Sequence, residues 1–90
     1  MTQVVDNPAR SRFEMDIEGA TAFVDYRVTG DVVVVPHTEV PRALEGRGVG
    51  TQLVLGTLDL IRASGRKVRP YCGFFANVIA RHPQYRDLVA

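Results

Sequence analysis

Apolar and polar positions alternate through the first part of the chain and then change period. In the stretch RFEMDIEG, residues 12–19, Phe13, Met15 and Ile17 fall on one side and Glu14, Asp16 and Glu18 on the other. That period of two is the pattern of a half-buried strand, closed by Gly19. The alternation resumes in ATAFVDYRVTGD, residues 20–31, with Ala22, Val24, Tyr26 and Val28 on one face and Phe23 and Asp25 opposite. Thr29-Gly30-Asp31 signals a hairpin turn. A third strand, VVVVPHTEV, opens with an unbroken valine run, which suits a strand covered on both faces. Pro36 interrupts it. Proline donates nothing to a ladder, so it belongs at an edge, a bulge or a place where the sheet opens. Pro41 ends the strand, and ALEGRG reads as loop.

From Val49 to about Ser64 the period lengthens. Gly50, Leu53, Val54, Thr57, Leu58 and Ile61 form one helical stripe, with Asp59 and Arg62 off it. Gly65 is a natural stop one residue past the cap. RKVRPY reads as a short fourth strand and GFFANVIARHP as a second helix ended by Pro83. PQYRDLVA allows a last helical turn or two, with Pro83 near its first position. The first ten residues are polar and contain Pro8, so a loose tail is expected there. Three antiparallel strands, a helix, a strand and a helix make one α+β domain over residues 1–90. Its third and fourth strands are joined through the long helix and are expected to be parallel.

Charge changes this picture modestly. Residues 1–40 carry three arginines against seven acids, and residues 41–90 carry eight basic residues against three acids. The basic half begins where the glycines begin, so it suits either an anionic ligand or an ordinary solvated face. Cys72 is the single cysteine, which rules out an internal disulfide and suits a reducing, cytoplasmic setting. No signal-like or membrane-spanning apolar run is present.

The stretch HTEVPRALEGRGVGTQL, residues 37–53, carries the candidate chemistry. Gly46, Gly48 and Gly50 stand at the mouth of the long helix. The first amides of a helix have no internal partner and carry partial positive charge, and glycines let an anion approach them. The plain alternative is a tight turn. The spacing does not fit the P-loop, because no lysine follows, and it does not fit the dinucleotide fingerprint.

Glu45-Gly46-Arg47-Gly48-Val49-Gly50, following a broken strand and opening a helix, resembles the acetyl-CoA-binding motif of the GNAT acyltransferases. HTEVP, then LEGRGVG, then Pro70-Tyr71-Cys72 and a closing HPQY with Leu88-Val89 together resemble the small YjdJ-type branch of that superfamily, over about Phe13 to Val89. The resemblance implies a minimal GNAT-like fold and acetyl-CoA as cofactor. It implies that Arg47, Gly48, Val49, Gly50 and Thr51 hold the pyrophosphate through their backbone amides and that Thr38–Val40 hydrogen-bond the pantetheine arm through their main chain. It further implies that the third and fourth strands splay after Pro36, with Cys72 at the mouth of the slot. Two departures stand out. Glu45 occupies the place of a Gln or Arg, and the N-terminal helices that shape the acceptor site in full-size relatives are missing.

Acetyl transfer needs a free amine, a polarised thioester and a proton for the leaving thiolate. Cys72 is the sharpest candidate, as nucleophile or proton donor, against the plain reading of a small core residue. His37 and Glu39, two apart on a strand, share a side and make a candidate base pair, or an ordinary polar strand face. Asn77 is a candidate cofactor contact or an exposed helix position. Phe74 and Phe75 cannot share a face, so at least one is core, and Tyr85 packs the C-terminal segment. The leading reading is a small acetyl-CoA-dependent N-acetyltransferase acting, as a monomer, on an amine, with a protein among the possible acceptors. The alternative is a non-catalytic CoA-binding or protein-interaction module. A nucleic-acid binder resting on Arg62, Arg66, Lys67, Arg69, Arg81 and Arg86 ranks last, for want of a reading motif, and no membrane partner is expected.

Overall fold

The computed structural model describes residues 3–90. A five-stranded sheet runs in chain order: β1 (Val5–Asn7), β2 (Arg12–Ile17), β3 (Ala20–Thr29), β4 (Val32–Glu39) and β5 (Lys67–Pro70). All neighbours are antiparallel except β4 and β5, which are parallel and joined through α1 (Val49–Ala63). α2 (Gly73–Arg81) and a short 3-10 helix, Pro83–Leu88, complete the α+β fold. The expected loop after Pro41 contains a single 3-10 turn, Arg42–Leu44, that buries Leu44.

The alternating strands bury the faces their pattern assigns. Phe13 pairs with Val24 and Met15 with Ala22, and all four are buried. Both turns are two residues long and take their hand from positive φ, as right-twisted hairpins require. Gly30 opens the β3–β4 turn at φ +60°, and Glu18 (φ +52°) and Gly19 (φ +81°) make the β2–β3 turn. Glu18 is one of two non-glycine residues with positive φ among the described residues.

The first ten residues correct the expectation of a loose tail. Val5–Asn7 pairs with Arg12–Glu14 as β1, and Pro8–Arg10 forms a 3-10 turn; Met1 and Thr2 lie outside the described residues. The strand is held from outside its own sequence. Asn7 Nδ2 donates to Glu14 Oε1 at 3.1 Å, and Tyr26 Oη donates to Asp6 Oδ1 at 2.6 Å. Val4 packs directly onto α1 at Gly56, where any larger residue would collide with its side chain.

α1 buries Leu53, Val54, Thr57, Leu58 and Ile61 against the sheet as its stripe predicts. α2 adds Phe75, Val78 and Ile79 to the same cluster. Because the buried sheet residues in this cluster all lie on one face, neither α-helix covers the other face. That open face carries Arg12, Glu14, Phe23, Asp25, His37 and Glu39. Val34 is buried there without a helix, flanked in register by Arg27 and Arg69, whose long stems suit such cover.

Candidate functional site

Pro36 sits in a β-bulge. Asp25 pairs with His37 and Arg27 with Val34, so Tyr26 alone on β3 opposes Val35 and Pro36 on β4. An extra residue on one strand bends it and frees its partner edge. The missing N–H of proline falls where no ladder bond is needed. On the other side, pairing with β5 ends at Val35↔Pro70, and the amides of Tyr71 and Cys72 both donate to the Val35 carbonyl at 3.0 Å. From Pro36 to Glu39, β4 therefore presents a free edge where the two parallel strands part.

A cleft of about 490 Å³ lies beside that edge. Thr38, Glu39 and Val40 line it from the strand, Glu45, Gly46 and Gly48–Thr51 from the loop and first turn of α1, and Phe74 from α2. Gly46 (φ +78°) and Gly48 (φ +74°) adopt left-handed backbone that L-residues rarely take, and a Cβ at either would meet nothing within 4 Å. Both are thus bare for their conformation. Gly48 caps α1 with no side-chain hydrogen bond, and the first turn holds no acid. The opening amides of α1 reach the cleft uncapped, which is the arrangement that holds an anion.

Arg47 does not line this cleft. Its Nη2 donates to Glu18 Oε2 at 2.6 Å and its Nη1 to Glu18 Oε1 at 3.2 Å, a bidentate bond that ties the loop to the β2–β3 turn. The hydrogen bond from Arg47 holds the Glu18 carboxyl below its ordinary range. Sequence reading missed Glu18, which lies 29 residues from its partner. Its one local signal is an acid placed in a turn position that favours Asn, Asp or Gly. Glu45 is exposed on the cleft wall.

Cys72 is the cap residue of α2, half-buried. Burial pushes its thiol up, but the Thr38 hydroxyl and the amides of Phe75, Phe74 and Thr38 favour the thiolate and carry its pKa below the ordinary value. Thr38 Oγ1 is shielded from solvent with no hydrogen bond of full geometry, so its effect on Cys72 is that of a close polar neighbour. The structure thus brings Thr38 and Cys72 together across the parting strands. His37 and Glu39 point to the other face of β4, where His37 Nε2 and Glu39 Oε1 lie 2.8 Å apart, both half-exposed. Asp25 and Phe23 flank them in register. Asn77 is exposed on α2 and is not among the residues that line the cleft.

A parallel pair of strands parts beside a glycine-opened helix, and the fold around them has known relatives. Residues 12–88 match the family described as GCN5-related N-acetyl-transferase, and the chain belongs to that family. It is an N-acetyltransferase of a small α+β type. A solution structure described as that of a "GCN5-like putative N-acetyltransferase from Staphylococcus aureus" is similar, at 25% identity and a TM-score of 0.72, over 98% of this chain and 87% of that one. No curated protein matches this chain. Among the described residues no helix is long and apolar enough to cross a membrane.

Proposed function

We propose that this protein, a member of the small YjdJ-type branch, binds acetyl-CoA in the cleft at the start of α1. It passes the acetyl group to the amine of an extended acceptor, such as a protein N-terminus or a lysine tail. The observation that carries the reading is the uncapped first turn of α1, opened by Gly46 and Gly48, facing the free edge of β4. The amides of Gly48–Thr51 suit the pyrophosphate, and the main chain of Thr38–Val40 suits the amide-bearing arm. When bound, acetyl-CoA supplies an activated thioester.

The protein's own groups supply the rest. His37 and Glu39, hydrogen-bonded on the open face, take the proton from the acceptor's ammonium. Cys72 Sγ, biased toward thiolate, takes the acyl group itself or, protonated, returns a proton to the departing sulfur. The uncovered face of the sheet favours an acceptor too large to be enclosed. The protein acts as a monomer in a reducing, cytoplasmic setting, which its free thiol suits.

A non-catalytic CoA-binding module would share the cradle and make no chemical use of Cys72 beside Thr38. Calorimetric titration with CoA and acetyl-CoA, followed by intact mass measurement with and without an amine-bearing peptide, separates the two. Saturable binding with an acetyl group appearing on Cys72 or on the peptide supports the enzyme. Binding with neither supports the module, and absence of binding overturns the assignment of the cleft.

A further inference from the structure

The third glycine of the loop is bare for a different reason from the first two. Gly50 lies inside α1 with ordinary helical backbone, so conformation does not require it. A Cβ there would stand 2.9 Å from Phe74 Cζ, 3.1 Å from Phe74 Cε2 and 3.4 Å from Val40 Cγ2. The Phe74 ring spans from the first turn of α2 to the first turn of α1 and rests its far edge on bare backbone.

Phe74 is 46% exposed, while its neighbour Phe75 is fully buried in the core. A large ring left part-way in water, its far edge seated against a position that carries no side chain, keeps an apolar surface free for a ligand. It stands two residues after Cys72, on the side of the cleft opposite the free edge of β4. The space between that edge and the ring is lined by the glycine-opened helix end and by Thr38, the neighbour of Cys72.

We propose that Phe74 is the apolar wall for the uncharged arm of the CoA ligand, and that Gly50 is glycine to seat this ring rather than to admit a phosphate. The inference rests on the reading of the cleft as a CoA site. The chemistry is complementary. Such an arm offers amides along one edge, which a free strand edge satisfies, and methylene and methyl groups on its flank, which need apolar cover. The phosphates are left to the amides of α1 and gain nothing from the ring.

Comparing two ligands separates these roles. CoA carries the arm, whereas 3′-phosphoadenosine 5′-diphosphate carries the same phosphates without it. Dissociation constants for both are measured by calorimetry on the parent, Phe74→Ala, Phe74→Leu and Gly50→Ala. Phe74→Ala is expected to weaken CoA at least tenfold and to leave the nucleotide within twofold, with Phe74→Leu in between. Gly50→Ala, which displaces the ring while favouring the helix, is expected to follow Phe74→Ala for both ligands. Each variant's far-ultraviolet circular dichroism checks that the fold is kept. Equal losses for the two ligands, no loss of CoA affinity in a folded Phe74→Ala, or a Gly50→Ala that loses the nucleotide as strongly as CoA would each overturn the proposal. A parent that binds neither ligand overturns the CoA site itself, whereas a parent that binds both while Phe74→Ala matches it overturns the wall alone.

Discussion

The two ends of α1 are built to opposite rules. At the C-terminal end every device for closing a helix is present. Gly65 takes φ +76°, its amide donates to Arg62 O at 3.1 Å, and the Arg66 amide donates to Ile61 O at 3.4 Å, the paired bonds of a Schellman motif. Ser64 Oγ adds a bond to Ile61 O at 2.6 Å. Arg62 then clamps Asp87 with two bonds of 2.9 and 3.0 Å and reaches Gln84 O, while Tyr85 Oη donates to Asp59 at 2.6 Å. At the N-terminal end the helix begins at a left-handed glycine with no side-chain cap, and the nearby arginine is turned away to Glu18. Orphan amides cost stability unless something meets them. The closed end ties the helix to the C-terminal segment, and the open end leaves its amides free for the anion we propose there.

The largest effect is expected at Cys72, beside Thr38 where the strands part. Cys72→Ala should lower acetyl transfer at saturating acetyl-CoA by about 100-fold or more, with CoA affinity kept. Cys72→Ser divides the two chemical roles, because a hydroxyl still hydrogen-bonds but is a far weaker nucleophile at neutral pH. A parent-like rate in either variant would make Cys72 a packing residue.

Next comes the helix start. Gly48→Val forces a β-branched residue into left-handed backbone and should weaken CoA at least tenfold, about 1.4 kcal/mol, in a protein that still folds. Unchanged affinity in the folded variant would show that the glycine only turns the chain. The mirror experiment at the closed end is Gly65→Ala. It should cost about 1 kcal/mol of stability, seen as a fall of about 4–8 °C in melting temperature, with CoA affinity unaltered. Together the two glycines form a double dissociation.

The smallest effect concerns acid. The carboxyls of Glu18 and Asp87 are both lowered, each chiefly by the hydrogen bond from its arginine. A carboxyl depressed in the folded state contributes stability that is present above its unfolded pKa and is lost as pH falls through the folded value. Melting temperature should therefore drop below about pH 5, and Glu18→Gln should make that drop slightly shallower. Both pairs are exposed and screened, so the change is small and shrinks further in salt.

Much of this was legible in the sequence because it is periodic. The α1 stripe, the alternating β2 and β3 and the stop at Gly65 are local patterns, and Pro36 announced a break in the sheet. What escaped depends on contacts distant in sequence. β1 is three residues long with Val5 facing solvent, and only its pairing with β2 makes it a strand. The Arg47 guanidinium is tied to Glu18, a partner too remote in sequence for any local pattern to show. The three glycines looked alike, yet two serve backbone conformation and the third makes room for a ring on another helix. That Cys72 meets Thr38 in particular is a contact between residues distant in sequence, which no local pattern encodes.

We propose the open end of α1 as the anion site. It is tested most directly by following the backbone amide resonances of the ¹⁵N-labelled protein during titration with CoA. The largest shifts are expected on Gly48–Thr51 and on Thr38–Val40, while Ser64, Gly65 and Arg66 stay still. Shifts centred on the closed end or on the uncovered face of the sheet, with Gly48–Thr51 unmoved, would contradict it.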